Sequence, residues 1–170
     1  MPNSRLLLQA TAFASAESKS VIRRRFGACG IEPERLDLRP FSDEAAMLRA
    51  YEEIDVALDP FPYNGATTTC DALSMGVPVV SLAGTSLNGR HGVSIVGACG
   101  LDGWIAATPT EYVETAVRAA SDVDALTLLR AELPRRFSQS ANCDPAGFAR
   151  KLESLYARLW TAWCGERDAP

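Results

Sequence analysis

The chain has 170 residues, of which 47% are hydrophobic, and this suits one domain of ordinary size with a substantial apolar core. Its formal net charge is only -4, and its longest run of like charge is the arginine triplet at 23–25, so we expect neither a nucleic-acid-binding nor an anionic-membrane surface. No segment reaches the roughly 20 apolar residues of a membrane span, and the beginning lacks the pattern of a signal peptide.

Short apolar runs alternate with helix-length amphipathic segments over the first two thirds of the chain, which favours an α/β fold with a parallel sheet covered by helices. The predicted strands are residues 5–10, 35–40, 55–60 and 77–83, with a fifth near Trp104. The predicted helices are residues 17–29, residues 42–54 with Ser42 or Asp43 as the cap, and a helix that begins near Thr67 and stops at Gly76.

From Thr108 onward the chain is predicted to form helices without intervening strands, the first capped by Thr108 with Pro109 at its first position. The last helix, within 143–164, has an apolar stripe at three- and four-residue steps. The stripe consists of Phe148, Leu152, Leu155, Tyr156, Leu159, Trp160 and Trp163. It could pack on this domain's own core or on a second domain, and both alternatives stay open. We predict a single domain over 1–170.

The turn at 59–73, DPFPYNGATTTCDAL, follows a predicted strand and carries the candidate chemistry. Gly65 would let the backbone approach a ligand closely, and Thr67 and Thr68 would lie in the first helical turn, where free amides and the helix dipole favour an anion. Asp71 would lie one turn further on the same face, placed to accept hydrogen bonds from sugar hydroxyls. The alternative is that the threonines only cap the helix and Asp71 adds favourable charge to its first turn.

A second loop, residues 82–94, follows the next predicted strand and contains three glycines, Arg90 and the only histidine, His91. It is interpreted as a flexible rim of the same site, with the guanidinium of Arg90 offering donors to a phosphate. The alternative is a surface loop that leads into a helix. A lone histidine without a nearby carboxylate in the sequence is weak support for a catalytic base, so we predict no catalytic residue.

Five widely spaced cysteines without a CxxC pair argue against a disulfide framework or a zinc site, and they favour a reducing compartment, that is, a cytoplasmic location. Each is predicted to be a small core residue rather than a nucleophile. They are Cys29, Cys70, Cys99, Cys143 and Cys164. No cluster of histidine and acidic residues has metal-ligand spacing, so we expect no metal site.

Five stretches of the sequence belong to a recognisable pattern. They are PNSRLLL, GIEPERLDL, DVALDPFPYNGATTTCDALSMGVPVVSLAG, GACGL and CDPAGFARKLESLYARLW, and they run over nearly the whole chain. The pattern resembles the C-terminal half of the catalytic region of O-linked N-acetylglucosamine transferases and SPINDLY-type proteins, glycosyltransferases often fused behind tetratricopeptide repeats. The long central stretch is the distinctive one.

The resemblance implies a GT-B architecture, in which two Rossmann-like domains face each other across a cleft and this chain supplies the donor-binding one. Such enzymes transfer a sugar from UDP-N-acetylglucosamine or a related nucleotide to serine or threonine hydroxyls with inversion, without a required metal. No cofactor beyond the donor substrate is implied. The final helix would lean toward the partner domain.

The resemblance also assigns residues to the donor site. Thr67 and Thr68 match threonines that contact the diphosphate, Asp71 matches the aspartate that binds the ribose, and backbone around Phe41 and Ser42 matches the segment that reads the uracil. The full candidate set is Phe41, Ser42, Met47, Asn64, Gly65, Ala66, Thr67, Thr68, Asp71 and Arg90.

Three departures bear on activity. Met47 stands where the better-studied members have a histidine that packs on the uracil, and Ala66 stands where some have a histidine. In addition, the chain starts after the family's lysine that neutralises the leaving diphosphate, and the acceptor-side domain precedes that point. Because half a cleft cannot orient both substrates, we expect weak donor binding and little or no transfer by this chain alone.

The resulting hypothesis is the donor-binding half of an inverting protein O-glycosyltransferase that binds a UDP-sugar. Its expected partners are the nucleotide sugar, an N-terminal catalytic half or repeat domain and, in a complete enzyme, an acceptor protein, but no nucleic acid or membrane. The alternative is a non-catalytic interaction module derived from such a half, which docks a partner through the helix that carries Trp160 and Trp163.

Overall fold

The computed structural model describes Met1 and residues 3–167, with side chains up to residue 165. The chain divides into two compact units, Met1–Asp55 and Val56–Pro170, called here the first and the second unit. The strands are β1 (Leu6–Gln9), β2 (Leu36–Arg39), β3 (Ala57–Leu58), β4 (Val79–Leu82) and β5 (Ile105–Ala106). The helices are α1 (Ala16–Gly27), α2 (Glu44–Ala50), α3 (Thr67–Ser74), α4 (His91–Gly97), α5 (Pro109–Ser121), α6 (Val123–Ser138) and α7 (Pro145–Arg167).

The first unit is built on the parallel pair of β1 and β2, with Leu6 opposite Leu36 and Leu8 opposite Leu38. Side chains of β2 alternate between the two faces, so Leu36 and Leu38 are buried with Phe13 in a small core. Both strands were predicted, and their parallel pairing agrees with the predicted α/β class, although they form a sheet of their own.

Asp43, rather than Ser42, caps α2, because its carboxylate accepts a hydrogen bond from the Ala46 amide at 2.8 Å. The Ser42 hydroxyl instead accepts a hydrogen bond from the Gln9 side chain at 2.9 Å. The α-helix is shorter than the predicted 42–54, since it ends at Ala50 and continues as a 3-10 turn to Glu53. The backbone becomes extended at Ile54, which leads the chain toward β3.

The second unit has three parallel strands in the order β3, β4, β5. The central strand β4 is buried on both faces, which explains why the sequence predicted as a strand at 77–83 is apolar except for Ser81. The outer strand β3 has only two residues, fewer than the predicted 55–60, because Pro60 has no amide hydrogen for a strand ladder and the chain then turns.

Helix α3 fits between the sheet and α6. Its buried side chains include Ala72 and Leu73, and it ends before Gly76, which adopts the left-handed conformation with φ of 76°. A Cβ atom at Gly76 would lie 2.8 Å from the carbonyl oxygen of Arg130 on α6, so this position is also a close contact between backbones. The predicted end of the helix at a glycine is confirmed.

The segment from Thr108 onward forms three consecutive helices, as predicted, and the Thr108 hydroxyl caps α5 by accepting a hydrogen bond from the Glu111 amide. The aromatic stripe of α7 remains largely exposed, with Phe148, Tyr156 and Trp160 each exposing more than 60% of their surface. Most of the stripe is therefore not covered by any of the side chains that the structure describes. Along Met1 and residues 3–167, no helix is both long and apolar enough to cross a lipid bilayer.

The five cysteines are all free thiols. Cys99 is buried, as predicted, and Cys70 and Cys164 are partly buried. The prediction of core positions is wrong for Cys29 and Cys143, which are exposed. Cys29 directly follows the C-cap of α1, and Cys143 lies in the 3-10 turn before α7, so neither belongs to a helix face that packs inward.

Candidate functional site

The turn that follows β3 is anchored to the loop after β4. Asn64 is completely buried, its backbone amide donates to the Asn88 carbonyl at 3.0 Å, and its side-chain amide donates to the Pro60 carbonyl at 3.2 Å. The predicted rim loop is thus in direct contact with the predicted phosphate turn. The sequence placed both segments after neighbouring strands, and their convergence is the expected result for the carboxyl ends of parallel strands.

Asp59, immediately after β3, anchors this turn to the sheet through hydrogen bonds. Its Oδ1 accepts a hydrogen bond from the Gly65 amide at 2.7 Å, and its Oδ2 accepts one from the Ser81 hydroxyl of β4 at 2.6 Å. Its backbone carbonyl accepts a third from the Tyr112 hydroxyl of α5 at 2.9 Å. The side chain is only 3% exposed, so burial raises the pKa of the Asp59 carboxyl, while its hydrogen bonds and the nearby His91 oppose that rise.

Sequence reasoning missed Asp59, Ser81 and Tyr112 as members of this site. The available signal was an acidic residue at the end of an otherwise apolar strand, since an unpaired carboxylate is rarely buried. Nothing in the sequence indicated which donors would meet it. Ser81 comes from the middle of β4, and Tyr112 lies 53 positions along the chain from Asp59.

Gly65 is required here by close packing within the turn. A Cβ atom at this position would lie 2.6 Å from the Thr68 hydroxyl oxygen and 3.0 Å from that of Thr69. The Thr69 hydroxyl donates to the Gly65 carbonyl at 3.0 Å, which closes the turn over the start of α3. The close approach that the sequence suggested for a ligand is therefore made by the protein's own threonines.

The N-terminus of α3 faces solvent and is not capped by the residue before it. Ala66 occupies the N-cap position and forms no side-chain cap bond, and Ala66, Thr67 and Thr68 are exposed. The first amides of any α-helix have no acceptor within the helix, so this end can receive an anion from solution. Thr69 is buried and its hydroxyl donates back to the Gly65 carbonyl, so Thr69 is part of the turn's own structure.

Asp71 lies one helical turn beyond Thr67, on the same side of α3, and is partly buried. Burial, and after it the negative charge of Asp71, raises the pKa of the neighbouring Cys70 thiol. A thiol kept protonated in this way is a poor nucleophile, which agrees with the prediction that Cys70 is not catalytic. Within the second unit, the turn and α3 bring Asn64, Gly65, Ala66, Thr67, Thr68 and Asp71 together.

Arg90 is exposed, and its guanidinium donates to the Gly84 carbonyl at 3.2 Å, so part of its hydrogen-bonding capacity holds its own loop in place. His91 begins α4, and its ring lies edge-on to the Tyr63 ring with centroids 6.5 Å apart. Among the described residues, two buried side-chain atoms have no hydrogen-bond partner, Asn64 Oδ1 and His91 Nδ1.

The remaining candidates lie in the first unit. Phe41 is 62% exposed in the segment between β2 and α2, Ser42 is bonded to Gln9, and Met47 is partly buried on α2. Across Met1 and residues 3–167, no three histidine, cysteine, aspartate or glutamate side chains are grouped so that they could hold a metal ion.

The comparison with protein families is decisive, because the model described as "Glycosyl transferase family 41" matches residues 1–152. The chain belongs to glycosyl transferase family 41. This family 41 chain is 38% identical over 174 residues to a protein of Solanum lycopersicum named "Probable UDP-N-acetylglucosamine--peptide N-acetylglucosaminyltransferase SPINDLY". It is 39% identical over 171 residues to the protein of the same name from Oryza sativa subsp. japonica. Both alignments cover 100% of the chain and 18% of the relative, so the chain spans less than a fifth of their length.

A solved structure of a mutant Thermobaculum terrenum O-GlcNAc transferase is also similar to this family 41 chain, with a TM-score of 0.88 and 36% identity. The match covers 98% of this chain and 32% of that protein. The predicted fold class, parallel sheets with flanking helices as in part of a GT-B glycosyltransferase and a helical C-terminal segment, is therefore confirmed.

Proposed function

We propose that this family 41 chain is the donor-binding half of an inverting protein O-glycosyltransferase and that it binds a UDP-sugar, with UDP-N-acetylglucosamine as the first candidate. The observation that carries the proposal is the start of α3, where Thr67 and Thr68 are exposed and the N-cap residue, Ala66, supplies no side-chain cap. The relatives' names, which specify UDP-N-acetylglucosamine and peptide transfer, support the choice of nucleotide and acceptor class.

The diphosphate is assigned to the Ala66–Thr68 end of α3. Backbone amides and the positive end of the helix dipole attract negative charge, and the two threonine hydroxyls add donors at the same point. No lysine lies in this turn, and the site consequently relies on neutral donors supplemented by the partly engaged guanidinium of Arg90.

The ribose of the nucleoside is assigned to the same helix as the diphosphate. Asp71, one turn along α3, is the acceptor proposed for the ribose hydroxyls, since a carboxylate there would repel a phosphate but can accept from a diol. Phe41, Ser42 and Met47 belong to the first unit, and their assignment to the uracil rests on the family resemblance alone. Asn64 and Gly65 act through the shape of the turn, because Asn64 is buried and the Gly65 amide already donates to Asp59.

Transfer requires more than this half of the cleft. The longer relatives extend far beyond the matched region, and proximity with correct orientation of donor and acceptor supplies a large part of the rate gain in such reactions. We therefore propose donor binding, with little or no transfer, for the chain alone, and transfer only together with an acceptor-side domain.

Titration of the chain with UDP, monitored by calorimetry and by the shift in melting temperature, tests the proposal. We expect weak, saturable binding at millimolar UDP, and we expect Asp71→Ala to weaken it about tenfold, as for the loss of a hydrogen bond to a charged group. The reason is that alanine removes the proposed acceptor for the ribose without altering the phosphate end of α3.

The control is Asp124→Ala, which also removes one negative charge, but from a different helix, at the first turn of α6. This control should bind UDP as the wild type does. If the wild type gives neither heat nor a thermal shift with UDP and Asp71→Ala changes nothing, the assignment of α3 as a nucleotide site is wrong.

The exposed stripe of α7 favours a second candidate function, a non-catalytic interaction module. Trp160 and Trp163 stack with ring centroids 5.1 Å apart, and Trp160 is 64% exposed, an unusual density of aromatic surface for a free helix. In this case we expect concentration-dependent association in sedimentation velocity, which Tyr156→Ser with Trp160→Ser abolishes. Lys151→Ser, an exposed change of charge and length on the same helix, serves as the control. A chain that remains monomeric at every concentration removes this candidate.

A further inference from the structure

We infer that Asp59 is a positioning residue for the diphosphate-binding turn, acting through the Gly65 amide on the start of α3. The inference rests on the proposed function, and it adds to that site a residue that would not itself touch the donor.

The carboxylate joins the turn to the sheet through its two oxygens. Oδ1 holds the Gly65 amide at 2.7 Å, one residue before the helix N-cap, and Oδ2 holds the Ser81 hydroxyl at 2.6 Å in the central strand. The strand is buried on both faces, so Ser81 is a rigid reference point. Through this bridge, the position of the Gly65 peptide is set relative to β4.

The backbone of Asp59 is fixed as firmly as its side chain. Its amide donates to the Val80 carbonyl at 2.9 Å, and its carbonyl accepts from the Tyr112 hydroxyl at 2.9 Å. Gly92 at the start of α4 closes the remaining side, since a Cβ atom there would lie 2.6 Å from Asp59 Oδ2. The bond from Ser81 and the close approach of Gly92 thus restrain the carboxylate in its contact with Gly65.

The position of Gly65 determines where the first amides of α3 point. Its Cα faces the hydroxyls of Thr68 and Thr69 so closely that a Cβ atom would collide with Thr68. A shift of the Gly65 peptide would therefore displace the threonines that are proposed to contact the diphosphate. The oxygens of a buried carboxylate are good acceptors for such a task, because hydrogen bonds to an ionised group are stronger than those between neutral groups.

The competing explanation is that Asp59 has a solely structural role. A comparison of two ligands separates the two explanations. The positioning role concerns the phosphate end of the site, so loss of the carboxylate should weaken UDP while leaving uridine unaffected. A general loss of folding would weaken both ligands equally. Titrations monitored by ligand NMR, which reaches millimolar affinities, are made on the full chain well below each variant's melting temperature.

We expect Asp59→Ala to reduce the preference for UDP over uridine about tenfold, the effect of losing one hydrogen bond to a charged group. Asp59→Asn should restore most of the preference, because its side-chain oxygen can accept from Gly65 and its NH₂ group can donate to the Ser81 hydroxyl. Thr108→Ala is the control, since it removes a helix cap elsewhere in the second unit, the bond that the Thr108 hydroxyl accepts from the Glu111 amide at the start of α5. It should lower the melting temperature and leave the preference unchanged.

Ser81→Ala decides the matter if Asp59→Ala does not fold. It leaves Asp59 Oδ2 without its donor and frees the carboxylate to turn, so the preference should fall about threefold, the weaker effect of one bond lost at a distance. An unchanged preference in the folded variants, or an equal loss for UDP and uridine, overturns the inference while leaving the proposed function standing. A wild type that does not prefer UDP to uridine overturns both.

Discussion

Gly92→Ala is expected to destabilise the second unit by about 3 kcal/mol or more, at the upper end of what overpacking usually costs. A Cβ atom at this position would overlap the Ser81 hydroxyl oxygen and lie 2.6 Å from both Ser81 Cβ and Asp59 Oδ2. Neither neighbour can retreat, because Ser81 belongs to the buried central strand and Asp59 is held by Gly65 and Ser81. Helix α4 would have to move away from the sheet.

The same substitution at Gly97, in the last turn of the same helix, is the matched control. A Cβ atom there would meet Ile105 Cδ1 at 3.6 Å and Asp102 Oδ1 at 3.7 Å, both ordinary contacts. Because alanine favours helices over glycine by up to about 1 kcal/mol, Gly97→Ala should be neutral or stabilising.

Urea unfolding followed by tryptophan fluorescence measures both variants. All three tryptophans, Trp104, Trp160 and Trp163, belong to the second unit, so the signal reports on that unit alone. Equal midpoints for Gly92→Ala and the wild type would mean that α4 does not press on the Asp59–Ser81 pair, and the close packing of the site would have to be reconsidered.

Gly76→Ala is expected to destabilise the second unit by about 3 to 4 kcal/mol, from the sum of two effects. The residue has φ of 76°, which costs a side chain about 1 to 2 kcal/mol. In addition, the new Cβ atom would lie 2.8 Å from the Arg130 carbonyl oxygen of α6, and a backbone atom within a helix cannot swing aside as a side chain can.

Gly100→Ala separates the two effects. Gly100 has nearly the same conformation, with φ of 70°, but nothing lies within 4 Å of its Cβ position. This variant should therefore be destabilised only by the conformational cost of about 1 to 2 kcal/mol. Unfolding of the two variants under the same conditions should differ by roughly the contact term of 1 to 3 kcal/mol. If they lose equal stability, α3 and α6 are not in close backbone contact at Gly76.

Gly92 and Gly76 both bear on the geometry of the proposed donor site. Gly92 lies against the pair that holds the turn before α3, and Gly76 ends α3 against α6, so the helix is constrained at both ends. A helix that is fixed in this way can keep its first amides pointed at a ligand without rearrangement, which lowers the entropic cost of binding.

Local features of the sequence were sufficient for several elements. Thr108 and Pro109 predicted the start of α5, and Gly76 predicted the end of α3, because caps and left-handed glycines act within a few residues of the helix end. The choice between Ser42 and Asp43 as a cap was not decidable locally, since a distant partner, Gln9, binds the Ser42 hydroxyl.

The sequence by itself determined the parallel α/β class, the family resemblance and the turn at 59–73 as the place of interest, since these depend on periodicity and local residue order. Only the tertiary structure decided that Asp59 is buried between the Gly65 amide and Ser81, and that Gly65 is packed against threonines. It also decided that the α7 stripe is exposed. For Asp59 the physical reason is that its partner Ser81 lies 22 positions along the chain and is brought close by the packing of the whole unit. Gly65 and its threonines are near neighbours in the sequence, but how tightly the turn closes on them, like the exposure of α7, depends on that packing rather than on local propensity.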